Sequence, residues 1–102
     1  MYPKSDKQLP FDARWREAMM WGRKTCTSRR KRYKGSAFDA FGLQFVIVSV
    51  ELLPLSIVAE HLWAKEGCDS PEDFRAVWVK LHPRKGWQPD QEVFVHHFRR
   101  SP

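Results

Sequence analysis

The sequence predicts an α+β domain, a small twisted β-barrel or half-barrel with short helices covering its ends. Three observations lead there. Residues 44–52 and 92–98 alternate as strands do, successive side chains pointing to opposite faces. Three other stretches carry apolar residues at helical spacing. The helices between strands are too few for a doubly wound sheet. The 102 residues amount to one domain, and its five tryptophans and seven phenylalanines must carry much of the burial.

In chain order, Phe11, Trp15, Ala18 and Met19 form one stripe of an amphipathic helix, which Gly22 stops. The next stretch is basic; its Thr25 and Thr27 favour extended backbone, and Lys34-Gly35-Ser36 reads as a turn. The central strand, Gln44 to Leu52, is expected to point Val46, Val48, Val50 and Leu52 one way. Phe45 and Ile47 begin its other face, which turns polar at Ser49 and Glu51, so the start of the strand reads as buried on both sides. Pro54 ends it. Ser56 is expected to cap a helix carrying Val58, Ala59, Leu62 and Trp63, closed by Gly67. Ser70-Pro71-Glu72-Asp73 combines an N-cap serine, a proline at the first helical position and acids in the positive first turn. Phe74, Val77, Trp78 and Leu81 follow on one stripe, and Pro83 closes that helix. After a loop over 84–90, Glu92 to Phe98 forms the last strand, with Val93, Val95 and His97 opposed to Phe94, His96 and Phe98.

The chain shows no repeat, low-complexity tract or linker, so residues 1–102 read as a single domain. No apolar run approaches the ~20 residues that cross a bilayer. Met1 to Asp6 lacks the apolar segment of a secretory signal. Two cysteines, Cys26 and Cys68, are too few for a disulfide framework. The expectation is a soluble cytoplasmic domain with no membrane partner.

The formal net charge of +6 is unevenly spread. Residues 1–35 hold eleven Lys/Arg against three acids, and residues 36–74 hold one against seven. The densest run, Arg23 to Lys34, has seven cations in twelve residues and no acid. Such a run repels itself unless a counter-charge lies close. The acidic middle of the chain is one source of that charge, and the phosphates of a polyanion are the other. The middle acids are spread over 39 residues, too thinly to neutralise the run, which favours the polyanion.

Gly22-Arg23-Lys24-Thr25-Cys26-Thr27-Ser28-Arg29 resembles the G-x-K-T-x-T-x-R signature of ASCH domains, a branch of the PUA-like superfamily. Gly42-Leu43-Gln44-Phe45, the acidic-Gly turn Lys65-Glu66-Gly67-Cys68-Asp69-Ser70, the helix end Leu81-His82-Pro83 and the closing strand Val93 to Phe98 follow in the family's order, so the resemblance covers about residues 11–98. It implies a PUA-like β-barrel with flanking short helices and a cleft against one barrel face. RNA or single-stranded nucleic acid is the ligand class proposed for such clefts. Some small bacterial members are amidohydrolases acting on N4-acetylcytidine, with an essential Lys, Thr and Glu; these positions fall on Lys24, Thr27 and Glu66. Two positions depart from the family pattern. Gly35 is followed by Ser36 and Ala37 where Asp is common, and Ser28 replaces a usually aliphatic residue, which is expected to leave the strand more exposed. The run Arg29 to Lys34 is unusually basic, which favours a polymeric anion over a free nucleoside.

Two kinds of function follow. As a nucleic-acid-binding module, the domain would hold phosphates with Arg23, Lys24, Arg29, Arg30 and Arg32 while Tyr33 or Trp87 stacks a base. Trp87, beside Gly86 in a basic loop, reads equally well as a lid over the barrel end; Trp15, Trp63 and Trp78 sit on helical stripes and read as core. As an amidohydrolase of modified nucleosides, Thr27 would be the nucleophile, Lys24 its base after desolvation, Glu66 a proton donor and Arg29 an oxyanion partner. Positions three apart on a strand face opposite ways, so Lys24 and Thr27 meet only if Lys24 lies in the turn from Gly22 or the chain bulges. A basic acceptor for an acidic protein partner is a third possibility. Cys26 is either a thiol activated by its cationic strand or a small buried filler. His61, His82, His96 and His97 make no metal-ligand pattern with the cysteines. His96 and His97 face opposite sides, one of them expected to be buried and hydrogen-bonded. No phosphate loop or dinucleotide fingerprint is present, and no cofactor is expected.

Overall fold

The expected N-terminal helix opens the computed structural model, which describes residues 9–102; the Met1–Asp6 stretch read for a signal lies outside them. Asp12 accepts a hydrogen bond from the Arg14 amide at 3.0 Å and so starts a 3₁₀ turn, Ala13–Trp15, that runs into helix α1, Arg16–Met20. Trp15, Ala18 and Met19 are buried as the stripe requires, whereas Phe11 lies ahead of the helix and joins an aromatic cluster instead.

Four strands follow: β1, Cys26–Arg29; β2, Ala37–Ala40; β3, Leu43–Pro54; and β4, Glu92–Arg100. They form one curled antiparallel half-barrel in the order β1-β4-β3-β2. Strand β2 was not among the expected elements. It pairs with β3 through the two-residue loop Phe41-Gly42, in which both residues have positive φ, 55° and 77°. Such loops usually advertise themselves with Asn-Gly or Asp-Gly; a phenylalanine in the first position hides this one.

The alternation of β3 is broken by a bulge. Ile47 opposes Phe98 but Ser49 opposes the very next residue, His97. Directly opposed residues share a face, so the extra residue changes the strand's phase. Phe45 and Ile47 share a face with Phe98; beyond the bulge Val50 and Leu52 take over that face with His96 and Phe94. The expected stripe Val46, Val48, Val50, Leu52 is therefore divided between the two faces, with Val48 53% and Leu52 49% exposed. At the start of the strand only Phe45 is deeply buried. Phe38 stacks on Phe45 at 5.3 Å, and Phe98 meets both edge-on. Each buried ring contributes about 1.5–3 kcal/mol by removal from water.

Helix α2, Leu55–His61, begins directly after β3. Its N-cap is Pro54 rather than Ser56, and it stops at His61 because Leu62 to Gly67 coil into a turn. Helix α3, Pro71–Leu81, starts as the sequence indicates: the Ser70 hydroxyl accepts from the Asp73 amide at 2.9 Å, with Glu72 and Asp73 in the first turn. Leu55, Val58, Ala59, Phe74 and Trp78 are buried in the same core as Val93 and Val95. Leu81, at the end of the stripe, is 60% exposed.

Candidate functional site

The site is assembled where β1 begins. The amides of Thr25 and Cys26 both donate to the Lys65 carbonyl, at 2.8 and 3.2 Å. These two bonds stitch the start of the edge strand to the turn that carries Glu66. Gly67 permits the contact: its φ is +89°, and a Cβ there would lie 3.1 Å from both Lys24 Cβ and the Trp15 ring.

Lys24 precedes the strand proper, in the turn from Gly22, which frees it from strand alternation. It is 3% exposed, and Glu66 and Thr27 are each 5% exposed. The Lys24 ammonium donates to the Cys26 carbonyl (2.9 Å), the Glu66 carbonyl (2.8 Å) and Glu66 Oε1 (3.3 Å), so all three of its protons face acceptors. The Trp15 ring lies 4.5 Å from the nitrogen. Glu66 Oε2 accepts a 2.6 Å hydrogen bond from Ser28 Oγ. Thr27 Oγ1 accepts from Arg29 Nε at 3.0 Å and keeps its own proton to give; Arg29 Nη2 donates to the Pro10 carbonyl at 2.8 Å. Burial pulls the Arg29 guanidinium below its ordinary value, and Glu66 opposes that shift.

Lys24, Thr27, Ser28, Arg29 and Glu66 line one cleft of about 890 Å³. Because β1 is an edge strand, the cleft reaches residues on both of its faces: Thr27 opposes His96, while Ser28 opposes Val95. Ser28 was expected to expose the strand; it is half-buried on Glu66 instead. Its role was not legible beforehand, although its alternation with Thr27 was the available signal. Trp15, Phe74 and Trp78, read as core, are core and cleft wall at once. The Trp78 indole N–H is buried without a hydrogen-bond partner among the described residues.

The remaining candidate residues divide. Arg30, Lys31 and Arg32 are exposed along the cleft, and no ion pair or hydrogen bond engages them among the described residues. Three of the seven acids in residues 36–74 are paired with other cations, in Arg14–Asp73, Lys24–Glu66 and Arg75–Glu72. Arg23 is exposed but does not line the cleft. Tyr33 lines it, yet is anchored: its amide donates to His96 Nε2 at 2.9 Å and its hydroxyl to the Ala37 carbonyl at 2.6 Å. Trp87 is not at the cleft. It is half-buried and packs edge-on against Phe74, 6.3 Å between centroids, with Arg75 over its ring.

Cys26 is fully buried, and its thiol is pushed far above the ordinary range, chiefly by burial and then by Glu66. Burial pushes the Cys68 thiol up to about 11. Of the two adjacent histidines, His96 is the buried one, and His97 Nε2 meets Glu51 Oε2 at 2.6 Å. Among the described residues, no group of three His, Cys, Asp or Glu side chains comes together as a metal site, and no helix is long and apolar enough to cross a membrane. No family model, curated protein or solved structure matches the chain.

Proposed function

We propose that the cleft binds single-stranded nucleic acid, RNA by preference, as the resemblance to ASCH and PUA-like domains implies. Phosphates run over Arg30, Lys31 and Arg32, and one base enters beside Phe74 and Trp78 to meet the polar floor of Lys24, Ser28 and Glu66. The observation that carries this reading is the set of unengaged cations at the rim of a cleft whose floor is already neutral by pairing. Cations held in no internal pair are available to release counterions when they meet phosphate. Titration of a fluorescein-labelled oligouridine at low salt is expected to show binding that weakens steeply with added salt, more weakly matched by oligothymidine. Absence of binding at low salt would overturn the reading.

A second reading has its own support. A Lys–Glu pair, two hydroxyls and a guanidinium in one cleft suit hydrolysis of the N-acetyl group of an N4-acetylcytidine-type nucleoside: Thr27 Oγ1 attacks the acyl carbon, its proton passes by way of Glu66 to the amine as the C–N bond breaks, and water then cleaves the acyl-threonine to acetate and restores the hydroxyl. In this arrangement Lys24 holds Glu66 rather than touching Thr27. Acetate release from N4-acetylcytidine, lost in Lys24→Ala, is the expected result; intact substrate after prolonged incubation would remove this activity.

A further inference from the structure

His96 is fully buried in β4 and takes no part in the floor of the cleft, yet both of its ring nitrogens are engaged. Nε2 accepts the Tyr33 N–H at 2.9 Å. A nitrogen that accepts carries no proton, so in the neutral ring Nδ1 carries it and donates to the Thr27 carbonyl at 3.3 Å. One imidazole on β4 thus holds both strand β1 and the segment that follows it, 69 and 63 residues away in sequence. Tyr33 ties the run 30–34 to the sheet through its amide on His96 and its hydroxyl on the Ala37 carbonyl, and its fit is tight: a Cβ on Gly35 would fall 2.7 Å from its ring.

We propose that His96 is a positioning residue, a latch that seats the backbone of the cationic segment 30–34 along the rim of the cleft and shifts it out of its binding position when the ring takes up a second proton. A doubly protonated imidazole has no acceptor. Its Nε2–H would face the Tyr33 N–H, and the Tyr33 amide would have to move off the ring while the hydroxyl stays on the Ala37 carbonyl. The surroundings oppose that proton. Burial lowers His96 from the ordinary 6.5; Arg29 on β1 and Arg32 in the segment act in the same direction, while the carbonyls of Thr27 and Phe94 act against it. On the β3 side the opposed residue is Val50, which is uncharged.

The consequence has an unusual sign. Protonating histidines near an RNA site ordinarily strengthens binding by adding positive charge. Here acid removes the binding-competent form, and apparent affinity falls with the latched fraction. At the midpoint of His96 titration affinity is expected to drop about twofold, and one pH unit lower about tenfold. That midpoint lies below 6.5.

The affinity arm rests on the nucleic-acid reading above; the latch itself does not. Two measurements on the intact chain separate them. In ¹⁵N NMR, His96 is expected to show the Nδ1–H tautomer at neutral pH, and protection of the Tyr33 amide from exchange is expected to be lost as His96 titrates. Oligouridine titrations at fixed ionic strength are then made at several pH values on the wild type and on His96→Gln, whose side-chain oxygen accepts but does not titrate. The wild type should weaken in acid and the Gln variant should not. A Tyr33 amide indifferent to His96 protonation, or equal acid strengthening in both proteins, overturns the latch. A latch present by NMR with no RNA bound at any pH overturns the nucleic-acid reading and leaves the latch standing.

Discussion

One run of twelve residues supplies the buried lysine of the cleft floor and the cations of its rim, and the fold treats the two ends differently. At the floor, Lys24 is desolvated, with every ammonium proton on an acceptor. At the rim, Arg30, Lys31 and Arg32 stand in solvent with no partner among the described residues. Counted in the sequence, these are equal charges. Physically they are opposites: a buried charge is strongly destabilising once its partner is removed, while an exposed one contributes little to stability and is free to bind.

That contrast can be broken deliberately. The largest loss of stability is expected at the floor: Lys24→Ala or Glu66→Ala should each cost about 3–5 kcal/mol, because each leaves the other charge buried and alone. The double variant Lys24→Met/Glu66→Leu should cost much less than the sum of the two singles, since replacing a buried pair by apolar groups removes the desolvation cost as well. Urea denaturation measures all three; additive losses would contradict the pairing. Next comes Gly67→Ala, which meets both an unfavourable φ and the Lys24 and Trp15 contacts at 3.1 Å. A loss of about 1–3 kcal/mol is expected, and a neutral substitution would show that the turn is not held closely against β1.

A smaller effect depends on pH. His96 has a lower proton affinity folded than unfolded. As pH falls below 6.5 the unfolded chain takes up the proton first, so stability declines through that window, by at most about 1.4 kcal/mol per pH unit from this group. Well above 6.5 both states are neutral and the group contributes no slope. Thermal melts of wild type and His96→Gln between pH 5 and 8 should differ in slope only on the acid side. The smallest change in stability, within about 0.5 kcal/mol, is expected for the triple variant Arg30→Ala/Lys31→Ala/Arg32→Ala.

How far the sequence announced these features depends on how local they are. The start of α3 was legible because Ser70, Pro71, Glu72 and Asp73 act within one turn, and the basic run was legible as a count. The meeting of Lys24 with Glu66 spans 42 residues; no spacing rule reaches that far, and only the resemblance pointed to it. The bulge at Val48 left no mark because valine suits an exposed bulge as readily as a buried stripe. Strand β2 was missed because Phe41 occupies a positive-φ position that usually goes to Asn or Gly. Trp78 read as core by its helical stripe, and nothing in that pattern says that one edge of a core residue also walls a cleft. His96 looked like one of an alternating pair; its two bonds, to Thr27 and Tyr33, exist only once β1 lies beside β4.

The division between floor and rim is tested most directly by the salt dependence of oligouridine binding to wild type and to the Arg30→Ala/Lys31→Ala/Arg32→Ala variant, both shown to be folded. Three phosphate contacts correspond to a difference of about 2 in the slope of log affinity against log salt. A variant that melts like the wild type but binds weakly, with its slope flatter by about that amount, is the predicted result. Equal affinities and equal slopes for the two proteins would contradict it.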